Sequence, residues 1–434
     1  MSTIDTAQRG TAAHAAFNGA SDARGQAAAG GAGGDPAASG RAGVVASAAA
    51  LIPVLRSRTA ETDALSKLPD ATIADLEKAR LFDLARPKMY GGLQASYETY
   101  LDTVIELARG DGSTAWTLAL LTTFTWLTSV SYPQHVTDKI FTPGASVRIC
   151  GSIGPRRAKT RRVAGGYVIE DGLWTYNTGF YHAQWDQLGI PLVDDAGELI
   201  GRGAALLPAS DVTPLDDWDT IGLRGTGSTS VTVKDVFVPD ERIASMGRNL
   251  QDDYAATHLL DVPGYRTPMV PTLALRLVCP MVGMAKAAVE LLTEKIGTRG
   301  IAFTTYEKQD EAAVTHLQIG EATAKIDAAE SVIRHAIRLL EADTERRERI
   351  SVEQRARIWR DAAFASQLIW EAVDRLAGAS GTAFVNRTGP MNRIWHDVRV
   401  ATMHGALYAD TLFEIYGRVA AGKAPNTPLL PSLT

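Results

Sequence analysis

Apolar positions change their spacing twice along this chain. Between residues 41 and about 143 they recur at helical intervals. Leu65, Leu68, Leu76, Leu81 and Leu84 keep near-helical spacing, and Pro69 fits a helix start. Tyr97 to Ala108 predicts a second helix, with Tyr100, Val104, Ile105 and Leu107 on its apolar side. Ser113 to about Val130 predicts a third, with Ser113 as N-cap. Its interior is almost wholly apolar or Thr, so it is expected to be a buried central helix. From Ser146 to about Ile243 the period drops to two. Runs such as Val147-Arg148-Ile149, Tyr167-Val168-Ile169 and Val231-Thr232-Val233 alternate, and Gly165-Gly166 and Asp194-Asp195-Ala196-Gly197 fall between runs as hairpin turns. Helical period returns after Pro271 and predicts helices over 272–298, 310–342, 351–378 and 392–420. In the second of these, Val314, Leu317, Ala324, Ala328, Val332, Ala336 and Leu339 form one apolar stripe.

These switches divide the chain into an N-terminal helical domain (41–143), a central β domain (144–250) and a C-terminal four-helix bundle (251–434), an α+β class. More than half of residues 1–40 are Gly or Ala, and Phe17 is the only aromatic among them. Such a stretch buries too little apolar surface to offset its ordering entropy, and it reads as a disordered tail, with a transit peptide as the second reading.

Composition adds mainly exclusions. The 434 residues are 45% hydrophobic and 21% charged, ordinary for a globular chain. A net charge of −5 provides no basic field for nucleic acid. Cys150 and Cys279 cannot form a disulfide framework or a four-cysteine zinc site, and the eight histidines show no ligand spacing, so no metal is expected. No uninterrupted apolar run reaches 18 residues, so no membrane span is expected and the expected location is the cytoplasm. Phosphate-loop, Rossmann, zinc-helix and nucleophile-elbow patterns are absent. The basic run Arg156 to Arg162 fits a solvated hairpin, with a cofactor phosphate or an acidic partner as the other reading.

Several segments then match one family in order. Pro87-Lys88-Met89-Tyr90-Gly91-Gly92 resembles an early element of acyl-CoA dehydrogenases, and Gly165-Gly166-Tyr167 with Gly172-Leu173-Trp174-Thr175 resembles their flavin-facing strand. Trp218 to Ser228, continuing to Asp235-Val236-Phe237-Val238-Pro239, resembles the pair that ends their β domain. Gly110-Asp111-Gly112-Ser113-Thr114-Ala115-Trp116, Trp174-Thr175-Tyr176-Asn177-Thr178-Gly179 and Arg393 to His404 are similar to elements of the flavin-dependent monooxygenases that share that fold. His396 stands where those enzymes usually carry a second Arg.

The resemblance implies the oxygenase component of a two-component system, in which a separate reductase supplies reduced flavin. FMN is the first expectation and FAD the alternative. The implied reaction inserts one oxygen atom from O2 into a small organic substrate (aromatic, heteroaromatic or amine) through a flavin C4a-hydroperoxide. Where many dehydrogenases carry the catalytic Glu, alignment on Asp397 places Gly405, which cannot accept a proton, after His404. Imidazole, with an unperturbed pKa of about 6.5, can hold or give a proton near neutrality. His404 is therefore the first catalytic candidate, against the plain alternative of a bundle histidine. Thr178 and Asn177 follow, because the family hydroxyl at the Thr178 position lies by the reactive edge of the flavin. Trp116, Trp174 and Tyr176 are expected at the flavin pocket, Arg299 at the flavin phosphate from a neighbouring subunit, and Gly378 and Ser380 in a cofactor-side turn. Two alternatives remain at this point, an FAD-dependent acyl-CoA dehydrogenase and a catalytically silent binding protein of the same fold. A homotetramer is expected, partly from the resemblance and partly because Ile369, Trp370, Val373, Leu376, Leu407, Leu412, Phe413, Ile415 and Tyr416 look too broad an apolar surface for one chain's core.

Overall fold

The computed structural model describes residues 40–142, 146–347 and 349–431, so the expected tail lies outside the described residues except for Gly40. Among the described residues six helices come first: α1 (Arg41–Ala50), α2 (Ile52–Leu65), α3 (Asp70–Lys78), α4 (Tyr97–Gly110), α5 (Gly112–Ser131) and α6 (Gln134–Ile140). Ser96 caps α4 by accepting the Thr99 N–H at 3.2 Å. The expected Ser113 cap of α5 is corrected. Asp111, held in extended backbone, accepts the Thr114 N–H at 2.7 Å and its hydroxyl at 2.6 Å, and Ser113 lies inside the helix. A carboxylate two residues earlier satisfies the open amides better than a serine already in the first turn. As expected, α5 is buried along almost its whole length. Its threonines tolerate this by donating to carbonyls one turn back: Thr117 to Ser113, Thr122 to Leu118, Thr125 to Leu121.

Eight strands follow: β1 (Ile149–Ser152), β2 (Pro155–Val163), β3 (Gly166–Trp174), β4 (Trp185–Val193), β5 (Leu199–Pro208), β6 (Thr213–Pro214), β7 (Val231–Pro239) and β8 (Ile243–Ser245). They form two four-stranded sheets, ordered β1-β4-β5-β8 and β2-β3-β7-β6, antiparallel except for the β1–β4 pair. Gly165 (φ +78) and Gly197 (φ +85) turn the two hairpins where the sequence places them. The sheets are tied face to face: the Trp174 indole donates to the Gly189 carbonyl at 2.7 Å, and the Thr160 hydroxyl to the Pro191 carbonyl at 2.7 Å. The basic run lies on β2 and pairs outward, Arg157 with Asp171, Lys159 and Arg161 with Glu170, and Arg162 with Asp240. That is the solvated hairpin.

After the short α7 (Met246–Leu250) the chain becomes helical again: α8 (Met269–Ile296), α9 (Ala313–Glu345), α10 (Val352–Ala379), α11 (Pro390–Thr402) and α12 (Ala409–Ala420). By length and composition α8 could span a bilayer, but most of it is buried inside this fold. Two expectations change. The single helix over 392–420 is two helices, because the chain turns at Met403–Tyr408, where His404 Nδ1 accepts the Ala406 N–H at 3.1 Å. The stripe on α9 is out of phase: the buried line is Ala322, Ile326, Ala329, Ile333, Ala336, Ile337 and Leu340, while Val314 and Leu317 are exposed. This helix carries two apolar lines, and only its packing against α8 and α10 selects one.

Candidate active site

The first two turns of α5 form the hub of the candidate site. Trp116, buried on this helix, meets the His404 ring edge-on with centroids 6.0 Å apart. From the β domain, Gly179 lies so close that an added Cβ would sit 3.1 Å from the Thr117 methyl and 3.0 Å from Leu121. From the loop before β7, Gly225 packs on Ser113, and from α11, Asp397 approaches Gly112. Three parts of the chain that are remote in sequence therefore converge here.

A line of hydrogen bonds joins them. The Thr178 hydroxyl bonds Ser228 Oγ at 2.7 Å, and Ser228 bonds the Thr226 hydroxyl at 2.7 Å. Thr226 donates to the Leu223 carbonyl at 2.8 Å, and the Leu223 N–H donates to Asp397 Oδ1 at 2.5 Å. Gly222 makes this docking possible, since a Cβ there would lie 2.3 Å from the His396 carbonyl oxygen. Burial, with Asp111 and Asp63 nearby, pushes the Asp397 pKa well up, against the Leu223 amide and Arg393. Arg393 itself is paired with Asp63 at 2.6 Å.

His404 occupies the turn after α11. Because Nδ1 accepts the Ala406 N–H, the neutral ring carries its proton on Nε2 and presents a donor there. The residue is exposed to solvent, and protein packed close to the ring still lowers its pKa, so the imidazole is neutral at pH 7. An added Cβ at the neighbouring Gly405 would meet nothing within 4 Å, so this place offers room and no carboxylate.

Other candidates are placed differently. Asn177 is fully buried, and its Nδ2 donates to Asp186 Oδ2 at 2.6 Å. It is corrected from a catalytic group to an anchor beneath Thr178. Trp174 is corrected likewise: it is fully buried between the sheets, so its ring is not available as a flavin pocket wall. Tyr176 (φ +60) is mostly exposed and meets Trp218 edge-on at 6.1 Å. Arg299, Gly378 and Ser380 do come together, at the end of α10. Arg299 donates to the Ala379 and Ser380 carbonyls at 3.1 and 3.2 Å and to Gln309 Oε1 at 2.5 Å, so its fork is engaged within the chain. Asp397, Ser228 and Gln309 were missed as site partners, although Asp397 and Ser228 stood inside the quoted motifs.

Beside Asp397 opens a cavity of about 640 Å³ that includes Arg224, Arg387, Arg393, Asn392 and His396 in its wall. Its size suits a nucleotide-like ligand. Its guanidinium groups suit a phosphate, although Arg224 is paired with Asp219 and Arg393 with Asp63 in the same wall. Thr178, Ser228 and His404 lie outside this wall; the two hydroxyls can donate or accept there, and His404 Nε2–H can donate. Guanidinium groups for a phosphate and separate donors for a ring edge are the groups a flavin needs. No group of three or more His, Cys, Asp or Glu placed to hold a metal occurs among the described residues.

Over 88% of its length the chain is 31% identical to the flavin-dependent monooxygenase oxygenase subunit HsaA of Mycobacterium tuberculosis, covering 95% of that protein. The chain belongs to this family of two-component flavin-dependent monooxygenases, as an oxygenase component. It is also similar to the FADH(2)-dependent resorcinol hydroxylase oxygenase component of a Rhizobium species, 27% identical over 88% of this chain and 95% of that one. The solved structure of XiaF from Streptomyces in complex with FADH2 and glycerol superposes with a TM-score of 0.84 at 30% identity, over 91% of this chain and 98% of the other. Residues 275–408 match the model of the acyl-CoA dehydrogenase C-terminal domain. The fold is that of the acyl-CoA dehydrogenases, and the activity is monooxygenation with reduced flavin.

Proposed function

We propose that this oxygenase component hydroxylates a small aromatic compound with reduced flavin delivered by a separate reductase. The observation that carries this reading is His404, neutral and with its Nε2 proton directed by the Ala406 amide, edge-on to Trp116 where a dehydrogenase would need a carboxylate. With reduced flavin bound, two electrons would be available to O2, so that one oxygen atom could enter the substrate and the other leave as water. The chain's part is to exclude water with the buried face of α5, to hold the flavin edge through the Thr178 and Ser228 hydroxyls, and to offer a proton donor at His404 Nε2. Aromatic chemistry is supported by the resorcinol-hydroxylating relative. FADH2 is supported by that relative and by XiaF, while reduced FMN shares the same reacting ring system and remains in the assay.

The assembly we propose is a homotetramer with flavin sites completed across subunits. Of the nine apolar residues expected to form a broad surface, Ile369, Val373, Leu376, Leu407, Leu412 and Ile415 are buried in the chain's own core, and Trp370, Phe413 and Tyr416 are partly exposed. Support comes instead from the exposed Val314 and Leu317 on α9 and from Phe303, fully exposed four residues beyond Arg299. A diffusing reduced flavin fits a cytoplasmic reaction. The test is stopped-flow mixing of the protein with reduced FMN or FADH2, then oxygen and a panel of phenols. Substrate-dependent product with little hydrogen peroxide is expected. Reduction of a tightly held flavin by an acyl-CoA, with no hydroxylated product, would overturn the proposal.

A further inference from the structure

Arg276 on α8 is only 4% exposed, and its guanidinium lies 4.5 Å from the ring centroid of Tyr100 and 5.2 Å from that of Tyr97. Nε and Nη1 are buried without a hydrogen-bond partner, and no carboxylate among the described residues pairs with the group. A buried guanidinium is normally paired, because removing its charge from water is costly. Two tyrosine faces offset part of that cost but leave N–H donors unsatisfied.

Arg276 lines a cavity of about 230 Å³ together with Tyr97, Trp126, Tyr265, Thr267 and Glu341. The aromatic wall is fixed and its own donors are spent. Tyr97 bonds the Thr267 and Thr272 hydroxyls at 2.8 and 3.0 Å, the Tyr265 hydroxyl donates to the Ala85 carbonyl at 3.0 Å, and the Trp126 indole donates to the Gly264 carbonyl at 2.8 Å. The unmatched group in this wall is a cation beside flat apolar surfaces. Glu341 accepts the Tyr97 N–H at 3.1 Å, and burial raises its pKa. Glu345 lines the cavity as well, and the two carboxylates disfavour a dianion, which limits the ligand to one negative group.

We propose that this cavity binds a small aromatic monocarboxylate, with the carboxylate on Arg276 and the ring among Tyr97, Trp126 and Tyr265. The site is distinct from the oxygenation site. Its wall includes none of Trp116, Thr178, Ser228 or His404, and Trp126 stands ten residues from Trp116 along α5, about 15 Å away.

The probe is benzoate, with benzamide as its uncharged counterpart, added to the full-length protein in thermal-shift and calorimetric titrations. Benzoate should bind with a Kd of about 1 mM or tighter and benzamide far more weakly. Arg276→Gln should weaken benzoate about tenfold or more, and Glu341→Gln should tighten it. Binding of reduced flavin, measured in parallel, should stay unchanged in Arg276→Gln and certifies that this variant is folded. If Arg276→Gln does not fold, the Glu341→Gln and benzamide comparisons still decide. Equal binding of benzoate and benzamide, no benzoate binding by the parent protein, undiminished binding in Arg276→Gln, or displacement of benzoate by reduced flavin would each overturn the proposal.

Discussion

Asp186 offers a quantitative test of the platform under Thr178. It is fully buried on β4, where the Asn177 amide donates to it at 2.6 Å. The second oxygen of Asp186 and the carbonyl oxygen of Asn177 are both buried without a partner. Two unsatisfied acceptors with no cation beside them call for a proton, and burial pushes the Asp186 pKa from 3.8 up to about 7, against the Asn177 amide and the Cys150 thiol. A shift of about three units corresponds to roughly 4 kcal/mol of stability linked to that proton. Its sign follows from a folded pKa above the unfolded one. The contribution is complete below about pH 4 and is lost as pH rises through about 7.

Asp186→Asn keeps an acceptor for Asn177 and supplies a permanent donor, so it should resemble the protonated acid at every pH. Urea unfolding of both proteins at intervals from pH 5 to pH 8 measures this, because other titrations cancel in the difference. The variant should gain on the parent by roughly 2–3 kcal/mol across that range. Parallel stability curves, or a variant equally less stable throughout, would refute a protonated Asp186.

Further outcomes are expected elsewhere. His404→Ala should keep the fold but lower product formation about 100-fold or more, with oxygen released as hydrogen peroxide; a coupling ratio equal to the parent's would remove His404 from the chemistry. Thr178→Ser should hold reduced flavin nearly as the parent does and Thr178→Val should not, which a titration of reduced flavin under anaerobic conditions reads out. Gly222→Ala places a Cβ 2.3 Å from the His396 carbonyl oxygen and should cost about 1–3 kcal/mol in denaturant unfolding. Asp111→Ala removes the cap of α5 and should cost about 1–2 kcal/mol by the same measurement.

Periodicity was sufficient for the order of helices and strands, because a switch between periods of 3.6 and two survives almost any tertiary context. It failed where two local solutions compete. Ser113 and Asp111 are both good caps, and only the extended backbone at Asp111 decides between them. The α9 stripe was misplaced because the line through Ile326 and Ile333 and the line through Val314 and Leu317 are both apolar, and neighbours choose. In the site, His404 and Thr178 could be singled out by family position. Asn177 and Trp174 carried the same motif signal, yet Trp174 is turned inward at the end of β3 against the facing sheet, and Asn177, in the turn after it, is drawn inward by Asp186. The Thr178–Ser228–Thr226 line and the Leu223–Asp397 bond join segments far apart in the chain, and spacing alone contains no trace of them.

The break between α11 and α12 also makes α11 a ruler. Asp397 and His404 are seven residues apart, about two helical turns, with one end pinned to the Leu223 amide and the other set against Trp116. One inserted residue between them would swing everything beyond it by about 100° and advance it by about 1.5 Å. His404 would leave Trp116 while Asp397 stayed in place. Length changes between these two residues should therefore abolish coupling even when every side chain is kept, whereas the exposed residues after α12 have no such register to preserve.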